Sequence, residues 1–348
     1  MKSKILILLL ALAMVVPFAF AGGGGGEKPE PAGPAPEAPP KQFKLVWTSV
    51  SVPDDAHTKA MYKFKFELER ITDGQIEVEL YHSGQLFNQE AAQAAVKRGT
   101  ADMVYGGPNW FAPHDPKWSM FAMPYVFTNY EHMTKFFNGD VAKPLYDDFA
   151  KKTNQRPLGA FYLGTRQLNL RDIGRVVQTP ADMKGVKLRM PGTATWQYMG
   201  SCLGASPTPL SFTEVYMGLK TGTIDGQDNP LPTDKNAKFY EVTKYIILTN
   251  HFVNPVMPCI NEQKWQSLGP ELQDKVMQAL EVARQTCDEL NLQQEAELVA
   301  YFEEQGMTII EPDLEPWVEF AQNKYLNDAE VTKAWDMDLF KTIQEMAP

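Results

Sequence analysis

The sequence predicts an α/β fold of two lobes. Three observations carry this. Two β-α-β runs follow one another along the chain, the folded stretch of roughly 300 residues is long for a single domain, and a helical run near the end is long enough to span both halves.

The first run begins with a strand over residues 44–50 (KLVWTSV). Residues 57–72 read as a helix, with Ala60, Phe64, Leu68 and Ile71 on one face, ended by Asp73-Gly74. Residues 75–81 (QIEVELY) alternate as a strand does, 89–98 form a helix closed by Gly99, and 101–105 form a third strand. In the second run, strands are predicted over 158–163 and 186–190, helices over 195–203 and 212–220, and strands over 244–248 and 252–260. A long helix is predicted over 271–305, and 312–346 read as helical and amphipathic. Ligand sites in open sheets of this kind lie at the carboxyl ends of strands, facing the crevice.

Lys2 and Lys4 precede an apolar run over 5–16, and Ala19-Phe20-Ala21 supplies small residues for signal peptidase. Residues 1–21 are expected to be a cleaved secretory signal, because the run is too short for a stable span. No cysteine stands near the cleavage point to take a lipid anchor. Residues 22–41 are Gly/Pro-rich and read as a disordered tether. The five glycines lack the preceding strand and following Lys-Ser/Thr of a phosphate loop. The expected product is a periplasmic protein with no direct membrane insertion.

The net charge is −10, and removing Lys2 and Lys4 with the leader takes it to −12. An acidic chain with no basic run is a poor nucleic-acid binder. Cys202, Cys259 and Cys287 allow one internal pair and a leftover thiol, or three small buried apolar residues.

Catalytic motifs are missing: there is no G-x-S-x-G, H-E-x-x-H, P-loop or dinucleotide fingerprint. The histidines (His57, His82, His114, His132 and His251) have no ligand spacing. His57, just before a helix, is open to packing or to lining the cleft. Asp54-Asp55 stand at a helix start, where capping is the expected use. Neither a catalytic residue nor a metal or cofactor is expected; the sequence does not read as an enzyme.

The informative stretch is 164–230. Arg166 (in Gly164-Thr165-Arg166) and Arg189 (in Lys187-Leu188-Arg189-Met190-Pro191) each stand at the end of a predicted strand. A guanidinium there is costly to desolvate without a partner. That partner is either a nearby Asp or Glu, or a ligand carboxylate gripped by two parallel N–H donors.

Residues 180–191 (PADMKGVKLRMP) resemble the P-x-D-x-K-G-x-K-x-R-x-P run of the solute-binding subunits of TRAP (tripartite ATP-independent periplasmic) transporters, the dicarboxylate-binding DctP family. Further similar segments are Gly204–Pro209 with Glu214-Val215-Tyr216 and Leu219, Thr221–Pro230, and Lys238–Tyr245 with Leu248–His251. Earlier ones are Ser83–Leu86 and Met123–Phe127. The resemblance spans about residues 44–291. It implies a two-lobe periplasmic binding fold of type II-like form, with an inter-lobe cleft, crossing hinge strands and a lobe-bridging helix. The lobes are expected over 42–163 plus about 252–290, and over 164–251 plus about 291–348.

The resemblance also implies a site. Arg189 is the main two-pronged carboxylate contact, Arg166 the second and Asn229 the third; Glu90 matches a position that in some members reaches ligand hydroxyls. Two departures stand out. Phe87 follows Gly84-Gln85-Leu86 where the family usually has Gly, and the segment between the arginines is longer, so that Arg171 or Arg175 competes with Arg166. From the other lobe, the regions 47–53 and 106–110 and the residues Trp47, Asn109, Trp110, Phe161 and Tyr162 are candidates, open between lining the cleft and packing in the core. The expected ligand is a small carboxylate: a hydroxylated or sugar-type acid, then an aromatic acid. The expected partner is a TRAP membrane permease driven by an ion gradient. The expected protein is a monomer, and a sensory protein of the same fold is the competing reading.

Overall fold

The computed structural model describes residues 43–348; the expected leader and tether lie outside the described residues. The elements run β1 (Phe43–Thr48), α1 (Ala56–Ile71), β2 (Ile76–Tyr81), α2 (Gln89–Arg98), β3 (Met103–Gly106), α3 (Pro108–Phe111), α4 (Tyr130–Phe137), α5 (Lys143–Thr153) and β4 (Gln155–Pro157). Then come β5 (Phe161–Leu170), β6 (Lys187–Met190), α6 (Ala194–Cys202), β7 (Ser206–Pro209), α7 (Val215–Thr221), β8 (Gly226–Pro230), α8 (Leu231–Asn236) and β9 (Tyr245–Asn261). The chain closes with α9 (Glu262–Glu304), β10 (Thr308–Ile310), α10 (Glu315–Leu326), α11 (Ala329–Thr332) and α12 (Met337–Glu345).

The strands pair in the order β2-β1-β3-β9-β5-β8-β6-β7, with β4 and β10 also on β9. In the first lobe β1 lies parallel between β2 and β3. In the second, β6 lies parallel between β7 and β8. The 17-residue β9 belongs to both: Met257–Ile260 pair with β3, and positions nearer its start pair with β5 and β10. Two strands were expected here. Asn250 takes φ 47 and the β5–β9 register slips between Arg166 and Leu168, yet the strand continues through the irregularity.

The long helix forms where periodicity places it. α9 breaks at Gly269 (φ 72), and Pro270, whose fixed φ and missing N–H suit a helix start, opens the longer segment. Its Leu272, Val276, Leu280 and Ala283 pack with Leu45, Phe64 and Leu68 in the first lobe. Its Leu298 and Phe302 pack with Leu231 and Ile246 in the second. Each fully buried Leu, Val or Phe contributes about 1.5–3 kcal/mol, so one helix is anchored in both cores.

Between those anchors α9 grips the crossing strand with polar groups. Tyr162 N donates to Asp288 Oδ1 (2.7 Å), Asn291 Nδ2 donates to Tyr162 O (2.6 Å), and Thr165 N donates to Glu295 Oε1 (2.6 Å). Gly164, at φ 125, sits inside this grip, where an added Cβ would lie 2.5 Å from Pro230 Cβ and 2.8 Å from Glu295 Oε1.

The C-terminal helices strap both lobes. Trp317 Nε1 donates to Gln178 O (3.0 Å), Trp335 Nε1 to Ser119 Oγ (2.8 Å), and His132 Nε2 bonds Ile343 O (2.8 Å). All three cysteines are free and buried, as small apolar residues would be. β7 (SPTP) and β8 (GQDNP) were not expected as strands: neither alternates, and both carry proline. β7 tolerates two prolines because it lies at the end of the pairing order.

Candidate ligand-binding cleft

A cavity of about 110 Å³ lies between the lobes, lined by residues of α1, α2, β3, α3, β5, β6, α6, β8, α8 and β9 and their connections. Local structure delivers the arginines to it. Asp182, the acid of the P-x-D motif, accepts from Gln178 N (3.0 Å), Thr179 N (2.9 Å) and Thr179 Oγ1 (2.9 Å). This closed turn feeds directly into β6, so the motif's acid is a backbone fastener for the strand that carries Arg189.

Arg189 is 2 % exposed. Its Nε donates to Leu210 O (2.8 Å), and Phe212 lies 5.9 Å from its guanidinium carbon. Among the described residues it has no ion-pair partner. Its pKa is lowered to about 10, chiefly by burial; Asp228 and Glu90 oppose the shift and Arg166 adds to it. It remains a cation at neutral pH, with its terminal N–H groups uncommitted.

Arg166 is equally buried but spoken for. Its Nε donates to Asp228 Oδ2 (2.7 Å), its Nη2 to Asp228 Oδ1 (3.1 Å) and to the Asp228 carbonyl, and its Nη1 to Asn254 Oδ1 (2.9 Å). Trp196 stacks over it at 4.7 Å. Burial alone would raise the Asp228 carboxyl; Arg166 and His251 outweigh that and hold it well below the usual carboxylate range. His251 Nε2 meets Asp228 Oδ2 at 3.1 Å and its Nδ1 meets Thr249 Oγ1 at 2.8 Å. Burial lowers the His251 pKa despite Asp228, so the ring is neutral, with the proton on Nε2 and Nδ1 accepting from the threonine. Asn229 lines the cavity with its Nδ2 donated to Gln227 Oε1.

Of the residues expected from the sequence, Arg189, Arg166, Asn229, Asn109 and Trp110 line the cavity. Glu90 stands beside it rather than in its lining, its Oε1 accepting from Gly192 N (3.3 Å) of the other lobe. Three expected residues are elsewhere. Trp47 is fully buried against Phe64 (5.2 Å) and Tyr105 (5.0 Å) in the first-lobe core. Phe161 packs in the same core. Tyr162 turns to α9, where its hydroxyl donates to Glu295 Oε2 (2.6 Å). Strands covered on both faces are apolar on both, so alternation could not say which aromatic faced the cleft. Arg175 donates to Asp182 O and Lys184 O (3.0 and 2.8 Å), and Arg171 packs against Gly222; neither lines the cavity.

His57 is a lining residue, 3 % exposed, and burial lowers its pKa to about 3, so it is neutral. Asp55, at the start of α1, caps nothing there. Its carboxylate accepts from Val52 N (2.9 Å) and, across the cleft, from Asn236 Nδ2 (2.9 Å). A second contact across the cleft is Thr193 Oγ1 donating to Asn109 O (2.9 Å). Trp196, Phe212 and Asn254 were not foreseen. Trp196 had a signal: it opens the helix directly after the Arg189 strand, where a parallel sheet presents residues to its crevice. Asn254, in mid-strand, had none.

A buried, unpaired cation in a cleft closed by both lobes is the geometry of a solute-binding protein, and comparison with known proteins agrees. Residues 48–330 match the model of the bacterial extracellular solute-binding protein, family 7 (DctP). The chain belongs to this family. It is 36 % identical over 258 residues to the sialic acid-binding periplasmic protein SiaP of Vibrio cholerae, covering 74 % of this chain and 79 % of that one. It is 31 % identical over 259 residues to the 2,3-diketo-L-gulonate-binding periplasmic protein YiaO of Escherichia coli K12, covering 74 % and 77 %. A TRAP periplasmic solute-binding protein of Roseobacter denitrificans, solved with 3-deoxy-D-manno-oct-2-ulosonic acid, superposes with a TM-score of 0.84 at 35 % identity, over 88 % of this chain and all (100 %) of that one. The DctP-family protein described here is therefore a periplasmic solute-binding component of a TRAP transport system, not an enzyme. Among its described residues, no helix is long and apolar enough to cross a membrane.

Proposed function

We propose that this protein captures a small organic acid by its carboxylate on Arg189, with Arg166 and Asn229 in support, and presents the closed complex to a TRAP membrane permease for ion-gradient-driven uptake. The observation that carries the reading is the buried Arg189 without an anionic partner. Desolvating a guanidinium is expensive, and a carboxylate accepting two of its N–H groups offsets that cost with charge-assisted bonds strengthened by exclusion of water. Arg166 already has its charge answered by Asp228 and contributes orientation more than field. The names of the relatives, which bind sialic acid and 2,3-diketo-L-gulonate, support an acid of this kind. Closure follows from differential affinity: the ligand favours the closed form by as much as its contacts exist only there.

We further infer that the lobes divide near 163 and 252, on the crossing strands β5 and β9, with β9 passing from β5 to β3 between Val256 and Met257 and the second lobe completed by the chain from about 291. The protein acts as a monomer without nucleic acid.

The test is a thermal-shift screen of the purified protein against organic, sugar and aromatic acids, each with its amide or alcohol analogue. A ligand at about 100 times its Kd adds roughly 2.7 kcal/mol, so an acid should shift the transition and its neutral analogue should not. Arg189→Lys should weaken binding by about 2–5 kcal/mol, because an ammonium cannot reproduce the planar fork. Binding within twofold of wild type would remove Arg189 as the anchor.

A further inference from the structure

Three buried polar groups on the cavity wall have no partner. Asn109 Nδ2, His57 Nε2 and Trp196 Nε1 make no hydrogen bond among the described residues, and their residues are 1, 3 and 4 % exposed. All three residues line the cleft. The coincidence matters, because unpartnered atoms also occur away from it: the indole nitrogens of Trp47 and Trp118 are buried and unmatched, but those residues do not line the cavity. A group left this way costs free energy wherever it sits. Only on a ligand-facing wall can a ligand recover it.

The Trp196 and His57 rings are packed against other rings and the Asn109 backbone is tied across the cleft. The Asn109 backbone carbonyl accepts from Thr193 Oγ1 (2.9 Å) of the opposite lobe. The Trp196 ring is stacked on Arg166 at 4.7 Å and meets Phe252 edge-on at 6.3 Å. The His57 ring stands edge-on to Tyr105 at 5.3 Å, and its carbonyl accepts from the Tyr105 hydroxyl (3.0 Å). Asn109 and His57 come from the first lobe and Trp196 from the second, so both walls of the closed cleft take part.

We propose that Asn109, His57 and Trp196 form a hydroxyl-reading wall, and that the solute is a polyhydroxy acid and not an acid with a bare hydrocarbon tail. This rests on the carboxylate reading of Arg189 and adds what the rest of the ligand must be. The amide and the indole N–H each need an acceptor oxygen. The neutral His57 nitrogen can take either sense of bond according to its tautomer, and a hydroxyl, which both donates and accepts, satisfies it in either. A sugar-type chain supplies such oxygens along its length. An aliphatic or aryl tail would bury all three groups unsatisfied, and a site built for hydroxyls discriminates strongly against ligands lacking them. Tyr105 and Trp110 line the same cavity.

The test is titration calorimetry on the full chain, refolded from denaturant to strip any carried-over solute. One set of probes is L-galactonate, D-gluconate, D-glucuronate and 3-deoxy-D-manno-oct-2-ulosonate; the other is hexanoate, phenylacetate and indole-3-acetate. The best polyhydroxy acid should bind about 100-fold tighter than any hydroxyl-free acid. Asn109→Leu and Trp196→Phe should each weaken the polyhydroxy acid about tenfold more than they weaken hydroxyl-free acids, narrowing the ratio between the two sets. Arg189→Lys should weaken both sets. A hydroxyl-free acid as the tightest probe overturns the proposal, and so do variants that weaken both sets alike; the carboxylate reading survives either result. If neither set binds, the carboxylate reading fails and takes this wall with it. Should Asn109→Leu not fold, Trp196→Phe and the comparison of the two sets on wild type decide alone.

Discussion

Arg166 and Arg189 are alike in type, in burial and in their place on strands of one sheet, Arg166 paired with Pro230 and Arg189 with Gln227 on β8. They differ in what answers their charge. Around Arg166 the protein has assembled Asp228, His251, Thr249 and Asn254 into one connected network. Around Arg189 the described residues supply one hydrogen-bond acceptor, a backbone carbonyl, and no ion pair. A buried arginine is therefore not in itself a ligand anchor. The accounting of its partners separates a cation that the fold has neutralised from one that awaits an anion.

The largest effect should come from breaking the answered pair. Asp228→Asn leaves Arg166 buried without its counter-charge, and removing one partner of a buried pair costs about 3–5 kcal/mol. Arg189→Met removes a charge that no described carboxylate pairs with directly, so stability should hold or rise while acid binding is lost. Urea midpoints of the two variants without ligand provide the check. Equal destabilisation would break the comparison, since Arg189 would then have a structural partner.

The same comparison explains what the sequence could reveal. Arg189 was legible because a long motif places it at a strand end and its own lobe supplies nothing to hide it. The partner of Arg166 was not, because Asp228 lies 62 residues away on a strand with no alternation and a terminal proline. The two-lobe plan was legible in the repeated β-α-β pattern and in the uninterrupted helical run that became α9. Short elements were not: β7 and β8 are held by neighbouring strands rather than by their own propensity. Trp47 and Phe161 were drawn towards the cleft because they are aromatic, but position on the strand decides facing, and both of their faces are buried.

A middle-sized effect should sharpen the contrast at the hinge. Gly164 stands two residues before Arg166 on β5, at a φ of 125 where a side chain is strained. Gly164→Ala adds that strain, on the order of 1–3 kcal/mol, together with a clash against Pro230. The disturbance should travel to Arg166 on the same strand and leave Arg189 on β6 undisturbed. Unfolding midpoints should fall, and ligand affinity should change through the open–closed balance rather than through loss of the anchor. If Gly164→Ala abolished binding as fully as Arg189→Lys does, the two strands would not be separable in this way.

The smallest effect sets Asp228 against Asp55, a carboxyl on the other wall of the cleft. Arg166 and His251 hold the Asp228 carboxyl down, so its contribution is present above the unfolded carboxylate range and is lost only in stronger acid. Burial raises the Asp55 carboxyl from 3.8 to about 6, the bonds from Asn236 and Val52 opposing without reversing the shift. The folded chain thus binds more protons at Asp55 than the unfolded chain does between those values. Its contribution to stability is fully present below the unfolded value, declines as pH rises to about 6 and is flat beyond. The decline should be on the order of 2 kcal/mol. Subtracting urea midpoints of Asp55→Asn from those of wild type, at intervals from pH 4 to 7, isolates this slope from that of other acids. A flat difference would mean that the Asp55 carboxyl ionises in the closed cleft as readily as in water, and that the Asn236 contact across the cleft holds a charged group.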